Sequence, residues 1–67
     1  MNASELREVS DEELVEHIRT QRREIFGLRF QHATGELENT TGLRNAKRAL
    51  ARALTVARQR DIDTNEI

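Results

Sequence analysis

The sequence predicts an all-α protein, namely an antiparallel two-helix hairpin with coiled-coil-like packing and a short helical turn at its N-terminus. Proline is absent and glycine occurs only three times in 67 residues, which favours long helices. Apolar residues recur at helical spacing in two stretches joined by a short linker. We therefore expect a single domain over residues 1–60, with helices over about 11–34 and 42–60, a linker over 35–41 and an acidic tail over 61–67.

The N-terminal segment carries two helix-start signals. Asn2 can cap a short turn that runs from Ala3 to Glu8. A stronger signal begins at Ser10, because Ser10 and Glu13 match a capping box in which the hydroxyl and the carboxylate satisfy free backbone donors. The acids that follow Ser10 also suit the positive end of the helix dipole. They therefore indicate helix initiation rather than an acidic catalytic cluster.

The first long helix has a seam for a partner helix. The seam residues alternate steps of four and three, the spacing of helices that pack lengthwise. They are Leu14, Ile18, Gln21, Ile25, Leu28 and His32. A second apolar strip, about 100° round the helix, consists of Val15, Phe26, Phe30 and Ala33. So wide an apolar surface indicates a second contact, with either the N-terminal turn or an outside partner. Gly27 is either a tolerated weak spot or a site of close backbone approach.

The linker contains the signals that end one helix and begin the next. Gly35 suits the left-handed conformation that commonly follows a helix. Leu37 is expected to plug the open end of the core, and Asn39, Thr40 or Thr41 can cap the second helix. So short a linker makes the two helices antiparallel neighbours. The tail DIDTNEI is acidic and is expected to fray.

The second helix has two chemically distinct faces. On a helix at about 100° per residue, one arc is apolar and holds Leu43, Ala46, Leu50, Ala53, Leu54 and Ala57. The nearly opposite side is basic and holds Arg44, Lys47, Arg48, Arg52 and Arg58. Residues 44–60 carry six bases and no acid, although the net charge of the chain is −1. The charges are thus segregated, and a phosphate backbone senses the local field.

The basic face is the candidate binding site of the sequence. Arginine predominates there, and its planar guanidinium suits phosphate and stacks on bases. Two other interpretations stay open. The face could be solvated only, although such faces usually mix charges or form ion pairs along the helix. Alternatively, the chain is a protein-interaction hairpin whose basic face meets acidic partners. The charge pattern favours a nucleic-acid partner.

Neither catalysis nor a cofactor is expected. The absence of cysteine excludes disulfides and thiolate metal sites, and His17 and His32 are too far apart to form a metal-binding pair on one helix. Gly27, Gly35 and Gly42 are scattered rather than grouped in a phosphate loop. The first residues contain no apolar run typical of a secretory signal, and no stretch approaches the roughly 20 apolar residues of a membrane span. We therefore expect no metal, no small-molecule substrate and no membrane partner.

Three segments together resemble the bacterial large-subunit ribosomal protein twenty-nine family over about residues 4–60. The first is ELR at 5–7 followed by SDEEL at 10–14. The second is FGLRFQHATGEL at 26–37, and the third is NTTGLRNAKRALAR at 39–52. Each segment alone is a weak signal, whereas the combination at this spacing is specific. Gln21 departs from the family, which often has an aliphatic residue there.

The resemblance implies a structural protein of the cytoplasmic large ribosomal subunit. Members of the family are helical hairpins that pack against large-subunit rRNA near the rim of the peptide exit tunnel, beside the ribosomal protein twenty-three family. Chaperones and the signal recognition particle dock at that rim, which makes them further candidate partners. By position, the expected rRNA-facing residues are Arg44, Lys47, Arg48 and Arg52, with Arg58, Arg60, Arg22, Arg23 and Arg29 as weaker candidates. Phe26 and Phe30 either pack within the fold, which their helical spacing favours, or stack on RNA or meet a protein neighbour.

Overall fold

Three α-helices and one 3₁₀ turn make up the described part of the chain in a computed structural model, which describes residues 2–35 and 41–67. Helix α1 spans Ala3–Leu6, α2 spans Asp11–Ala33 and α3 spans Thr41–Gln59, with the 3₁₀ turn at Thr64–Glu66. The described ranges contain no strand. The two long helices pack against each other, which confirms the predicted helical hairpin. The expected roles of Leu37, Asn39 and Thr40 lie outside the described residues.

The helix ends follow the local chemistry of the sequence. The Oδ1 atom of Asn2 accepts a hydrogen bond from the Glu5 amide at 2.9 Å, and the Ser10 hydroxyl accepts one from the Glu13 amide at 3.1 Å. At the other end of α2, Gly35 has a φ of 81°, and its amide donates to the His32 carbonyl at 3.2 Å. The Asn2 bond thus caps α1, and the bonds at Ser10 and Gly35 satisfy backbone groups at the two ends of α2.

The core lies between α2 and α3 and is closed by α1. Its buried cluster consists of Leu6, Leu14, Ile18, Ala53, Val56 and Ala57. Ile25 is also buried, whereas Gln21 and Leu28 are half-buried and His32 is exposed. The seam prediction is thus confirmed for the first two-thirds of α2 and is wrong at His32, which lies in the last turn of the helix.

Helix α1 is short, but it packs against the rest of the fold. Its Leu6 side chain is fully buried, and the helix packs against α3. Val56, which lies outside the apolar arc expected from the sequence, is only 2% exposed. The buried face of α3 is therefore wider than the hairpin alone requires, because it contacts two helices.

The second apolar strip of α2 is exposed over its C-terminal half, so the expectation that Phe26 and Phe30 pack within the fold is wrong. Phe26 is 75% exposed and Phe30 is 63% exposed. Ala33 is exposed as well, and only Val15 is half-buried. Helix α1 packs on α3 rather than on this strip. As a result, the aromatic part of the strip has no covering element in the described chain.

Residues 61–67, here called the tail, lie against the hairpin. Ile62 and Ile67 pack on the core cluster, and the Ile62 amide donates to the Ala57 carbonyl at 2.9 Å. Asp61 has a φ of 59°, and this left-handed residue turns the chain back after α3. The structure thus differs from the frayed tail expected from the acidic composition, since two isoleucines alternate with the acids and bury apolar surface.

Candidate RNA-binding surface

Helix α3 displays a row of cations along its outer side, here called the basic ridge. All five members are exposed, and they are Arg44, Lys47, Arg48, Arg52 and Arg58. The helix places them there because its apolar residues take the side that faces α2 and α1. The structure therefore brings together the five α3 residues that the sequence predicted as a binding face.

The basic ridge is electrostatically uncompensated within the described chain. The ion pairs among residues 2–35 and 41–67 join Arg19 and Arg23 to Glu16 and Arg60 to Asp11, and none includes a member of the ridge. Residues 41–60 contain no Asp or Glu that could pair along the helix. The ridge thus presents five cations to solvent and can neutralise phosphates at low cost in lost internal contacts.

The three arginines of α2 occupy different environments. Arg22 is half-buried and donates from Nη1 to the main-chain oxygen of Ile67 and from Nη2 to the Thr64 carbonyl at 3.5 Å. Arg23 is exposed, and its Nη2 lies 3.2 Å from Glu16 Oε1. Arg29 is exposed beside α3. Arg22 and Arg29 line one groove together with the ridge member Lys47, whereas Arg23 is not among the residues that line it.

Arg60 is held away from the ridge by contacts within the fold. Its side chain is only 21% exposed, and its Nη1 lies 3.1 Å from Asp11 Oδ1. Its Nη2 donates to the Leu6 carbonyl at 2.9 Å. These bonds use the guanidinium to join the end of α3 to α1 and to the start of α2.

An apolar groove with a basic rim lies between α2 and α3 and is here called the Phe26 groove. It is lined by Arg22, Ile25, Phe26, Arg29, Lys47, Leu50, Ala51 and Leu54. Sequence reasoning missed this groove as a site. Its signal was present in the second apolar strip, but the sequence did not show that the strip stays open.

His17 is a half-buried residue on α2 with one unusual atom. Its Nε2 is buried and has no hydrogen-bond partner among the described residues. Burial lowers the pKa of His17 below its ordinary value of 6.5, and the carboxylate of Glu24 partly opposes that effect. The described residues contain no group of three or more His, Cys, Asp or Glu that could hold a metal ion. None of the described helices is long and apolar enough to cross a membrane.

The described residues define a small all-α protein, a helical hairpin with one buried seam and one basic helix face that forms no ion pair among them. The comparison with protein families gives the particular family. The model of the ribosomal L29 protein family matches residues 4–60. The chain therefore belongs to the ribosomal L29 family and is a ribosomal protein rather than an enzyme. This confirms the resemblance seen in the sequence.

Similar proteins cover nearly the whole chain. The large ribosomal subunit protein uL29 of Rubrobacter xylanophilus is 55% identical over 60 residues, which is 90% of each chain. That of Cutibacterium acnes is 48% identical over 63 residues, or 94% of this chain and 82% of the relative. That of Staphylococcus aureus is 42% identical over 66 residues, or 98% of this chain and 96% of the relative. As a member of this family, the chain sits on the cytoplasmic ribosome.

Proposed function

We propose that this protein is a structural constituent of the large ribosomal subunit that binds large-subunit rRNA through the basic ridge of α3. The observation that supports this proposal is the ridge itself, which has five exposed cations without an ion-pair partner in the described chain. Each cation that meets a phosphate releases condensed counterions, which favours binding. Family membership removes the main alternative, a non-ribosomal hairpin that binds acidic partners.

The ridge is suited to recognition of RNA shape rather than of base sequence. Its members lie on one rigid helix, so their spacing along the axis is set before RNA is bound. Long cationic side chains on a helix can follow a phosphate backbone, whereas the deep major groove of A-form RNA excludes side chains from most base edges. Arg44, Arg48 and Arg52 are four residues apart in turn and form the line nearest to the outer side of α3.

The arginines of α2 make a secondary contribution in this proposal. Arg22 is bound to the tail, and Arg23 is paired with Glu16. Only Arg29 has neither of these contacts, and it lies beside Lys47 at the rim of the Phe26 groove. RNA binding through Arg22 or Arg23 would first break internal contacts, so we expect their replacement to affect RNA affinity less than replacement of ridge residues.

The position on the particle is part of the same proposal. We place the protein near the rim of the peptide exit tunnel, beside the ribosomal protein of the twenty-three family. Chaperones and the signal recognition particle are candidate transient partners at that rim. Cross-linking of assembled large subunits, followed by mass spectrometry of the linked peptides and RNA fragments, tests this placement. Cross-links that join the protein only to components far from the exit tunnel would contradict it.

A binding experiment with two charge-matched variants tests the role of the ridge. Arg48→Ala with Arg52→Ala removes two ridge cations, whereas Arg7→Ala with Arg19→Ala removes two exposed cations elsewhere. We expect the ridge variant to bind a large-subunit rRNA fragment about tenfold more weakly, since two phosphate contacts are lost. The control variant should bind like the unchanged protein. Equal affinities for the two variants, with helical content preserved by circular dichroism, would reject the ridge as the RNA-binding surface.

A further inference from the structure

The tail shows what kind of segment can bind beside α2 and α3. Ile62 and Ile67 pack against the core, while Arg22 holds the main-chain oxygens of Thr64 and Ile67. The segment carries three acids, of which Asp61 and Asp63 are described as exposed, and its 3₁₀ turn contacts α3. An acidic segment with spaced isoleucines is thus seated by apolar contact and by a guanidinium that binds main-chain oxygens.

The Phe26 groove adjoins this surface at Arg22. Arg22 belongs to both, since it bonds to Ile67 and also lines the groove. Past Arg22 the groove is open, and Phe26 beside it is 75% exposed. Phe30, one helical turn further along α2, is 63% exposed. Large exposed aromatic side chains grouped beside an open groove are typical of a protein-interaction surface.

The open half of the groove repeats the residue that binds the tail. Arg29 follows Arg22 by seven residues and lies on the same side of α2. Two helical turns separate them, so Arg29 offers a second guanidinium about 10 Å further along the groove. Arg29 can therefore donate to oxygens of a bound segment, as Arg22 does to those of the tail.

We propose that the open half of the Phe26 groove binds an acidic segment of a second protein, with aliphatic side chains spaced as in the tail. The aliphatic side chains would cover Phe26 and Leu50, and Arg29 and Lys47 at the rim would face the carboxylates. The apolar floor favours such a segment over RNA, since a phosphate backbone gains nothing from Ile25, Leu50 and Leu54. Lys47 belongs to both the groove rim and the basic ridge, whereas Phe26 and Arg29 belong to the groove alone, so variants of Phe26 test the groove separately.

A peptide titration monitored by NMR tests the proposal. The probe is an N-acetylated synthetic peptide of the sequence DIDTNEI, added to the full ¹⁵N-labelled chain. We expect saturable shifts at the amides of Ile25, Phe26 and Leu54, with the amide of Ile62 unchanged because the chain's own tail stays in place. A peptide with lysine in place of its three acids, and another with serine in place of its isoleucines, should not bind.

Matched variants separate the groove from the rest of the surface. Phe26→Ala with Phe30→Ala should weaken peptide binding about tenfold, as expected for the loss of central aromatic anchors. Gln31→Ala alters an exposed α2 residue outside the groove and should leave it unchanged. Both variants should bind the rRNA fragment like the unchanged protein. Shifts at Ile62, equal binding of the lysine peptide, or the absence of saturable shifts would overturn the proposal. The proposal would also be overturned if the phenylalanine variant bound the peptide normally but bound RNA more weakly. That outcome would make the groove an RNA site.

Discussion

Arg60 and Asp11 form an ion pair that joins the end of α3 to the start of α2, with Nη1 and Oδ1 3.1 Å apart across 49 positions of sequence. The same guanidinium donates to the Leu6 carbonyl at 2.9 Å. Leu6 is fully buried, so its carbonyl lies at the edge of the core. One side chain at the end of α3 thus holds both α1 and the first turn of α2.

Replacement of Arg60 should destabilise the fold more than replacement of its acidic partner. We expect Arg60→Ala to lower the free energy of unfolding by about 1–2 kcal/mol, since it loses a hydrogen bond to a partly buried carbonyl as well as the ion pair. Asp11→Asn should cost less than about 1 kcal/mol, because the Asp11 side chain is 66% exposed and surface ion pairs are weak. Urea unfolding followed by circular dichroism measures both changes. A larger loss for Asp11→Asn would contradict the assigned role of the Leu6 contact.

Gly27 and Gly35 should respond in opposite directions to replacement by alanine. A Cβ atom at Gly27 would meet nothing within 4 Å, so the structure shows no close approach there and the glycine is a weak spot in α2. Gly27→Ala should therefore stabilise the protein by about 0.5–1 kcal/mol. Gly35 has a φ of 81°, so Gly35→Ala should destabilise it by about 1 kcal/mol. Thermal unfolding of the two variants side by side checks the signs, and a destabilised Gly27→Ala would contradict the open environment of that residue.

Helix existence and the principal seam could be predicted from the sequence because they depend on local signals. The capping residue Ser10 and the terminating Gly35 act on backbone groups within a few positions of themselves. The spacing of Leu14, Ile18 and Ile25 reports one face of one helix, and these residues are buried. Periodicity of this kind needs no knowledge of how the helices are arranged.

Features that depend on contacts of the hairpin with α1 or with the tail could not be predicted in this way. Val56 is buried because α1 packs on α3, and a helical wheel of α3 alone does not contain that contact. The tail was expected to fray from its charge, yet Ile62 and Ile67 give it two apolar anchors. The Phe26 groove stays open because neither α1 nor the tail packs over Phe26, and sequence periodicity does not specify that arrangement.

The stability of the fold should decrease as His17 takes up a proton. Burial lowers the pKa of His17 in the folded protein below 6.5, with Glu24 opposing. The unfolded chain therefore binds the proton at a higher pH than the folded chain does. The contribution of neutral His17 to the free energy of unfolding is therefore complete above its pKa in the unfolded chain. It is lost as the pH falls from about 6.5 through the lower pKa of His17 in the folded protein. Urea unfolding at several pH values between 7.5 and 5 should show this loss. His17→Gln should remove it and His32→Gln should retain it, whereas the reverse pattern would assign the effect to His32.

The salt dependence of RNA binding should report how many ridge cations contact phosphate. Binding to single-stranded or duplex nucleic acid weakens with salt by a slope of about 0.7–0.9 for each phosphate that is neutralised. Arg48→Ala with Arg52→Ala should therefore lower the slope of log affinity against log salt concentration by about 1.4–1.8. Arg7→Ala with Arg19→Ala removes the same net charge without touching the ridge, so it should leave the slope unchanged. Filter binding to a large-subunit rRNA fragment over a range of salt concentrations measures both slopes. Equal decreases in the two variants would mean that RNA senses only the overall charge of the protein, since a field without defined contacts does not distinguish one helix face from another.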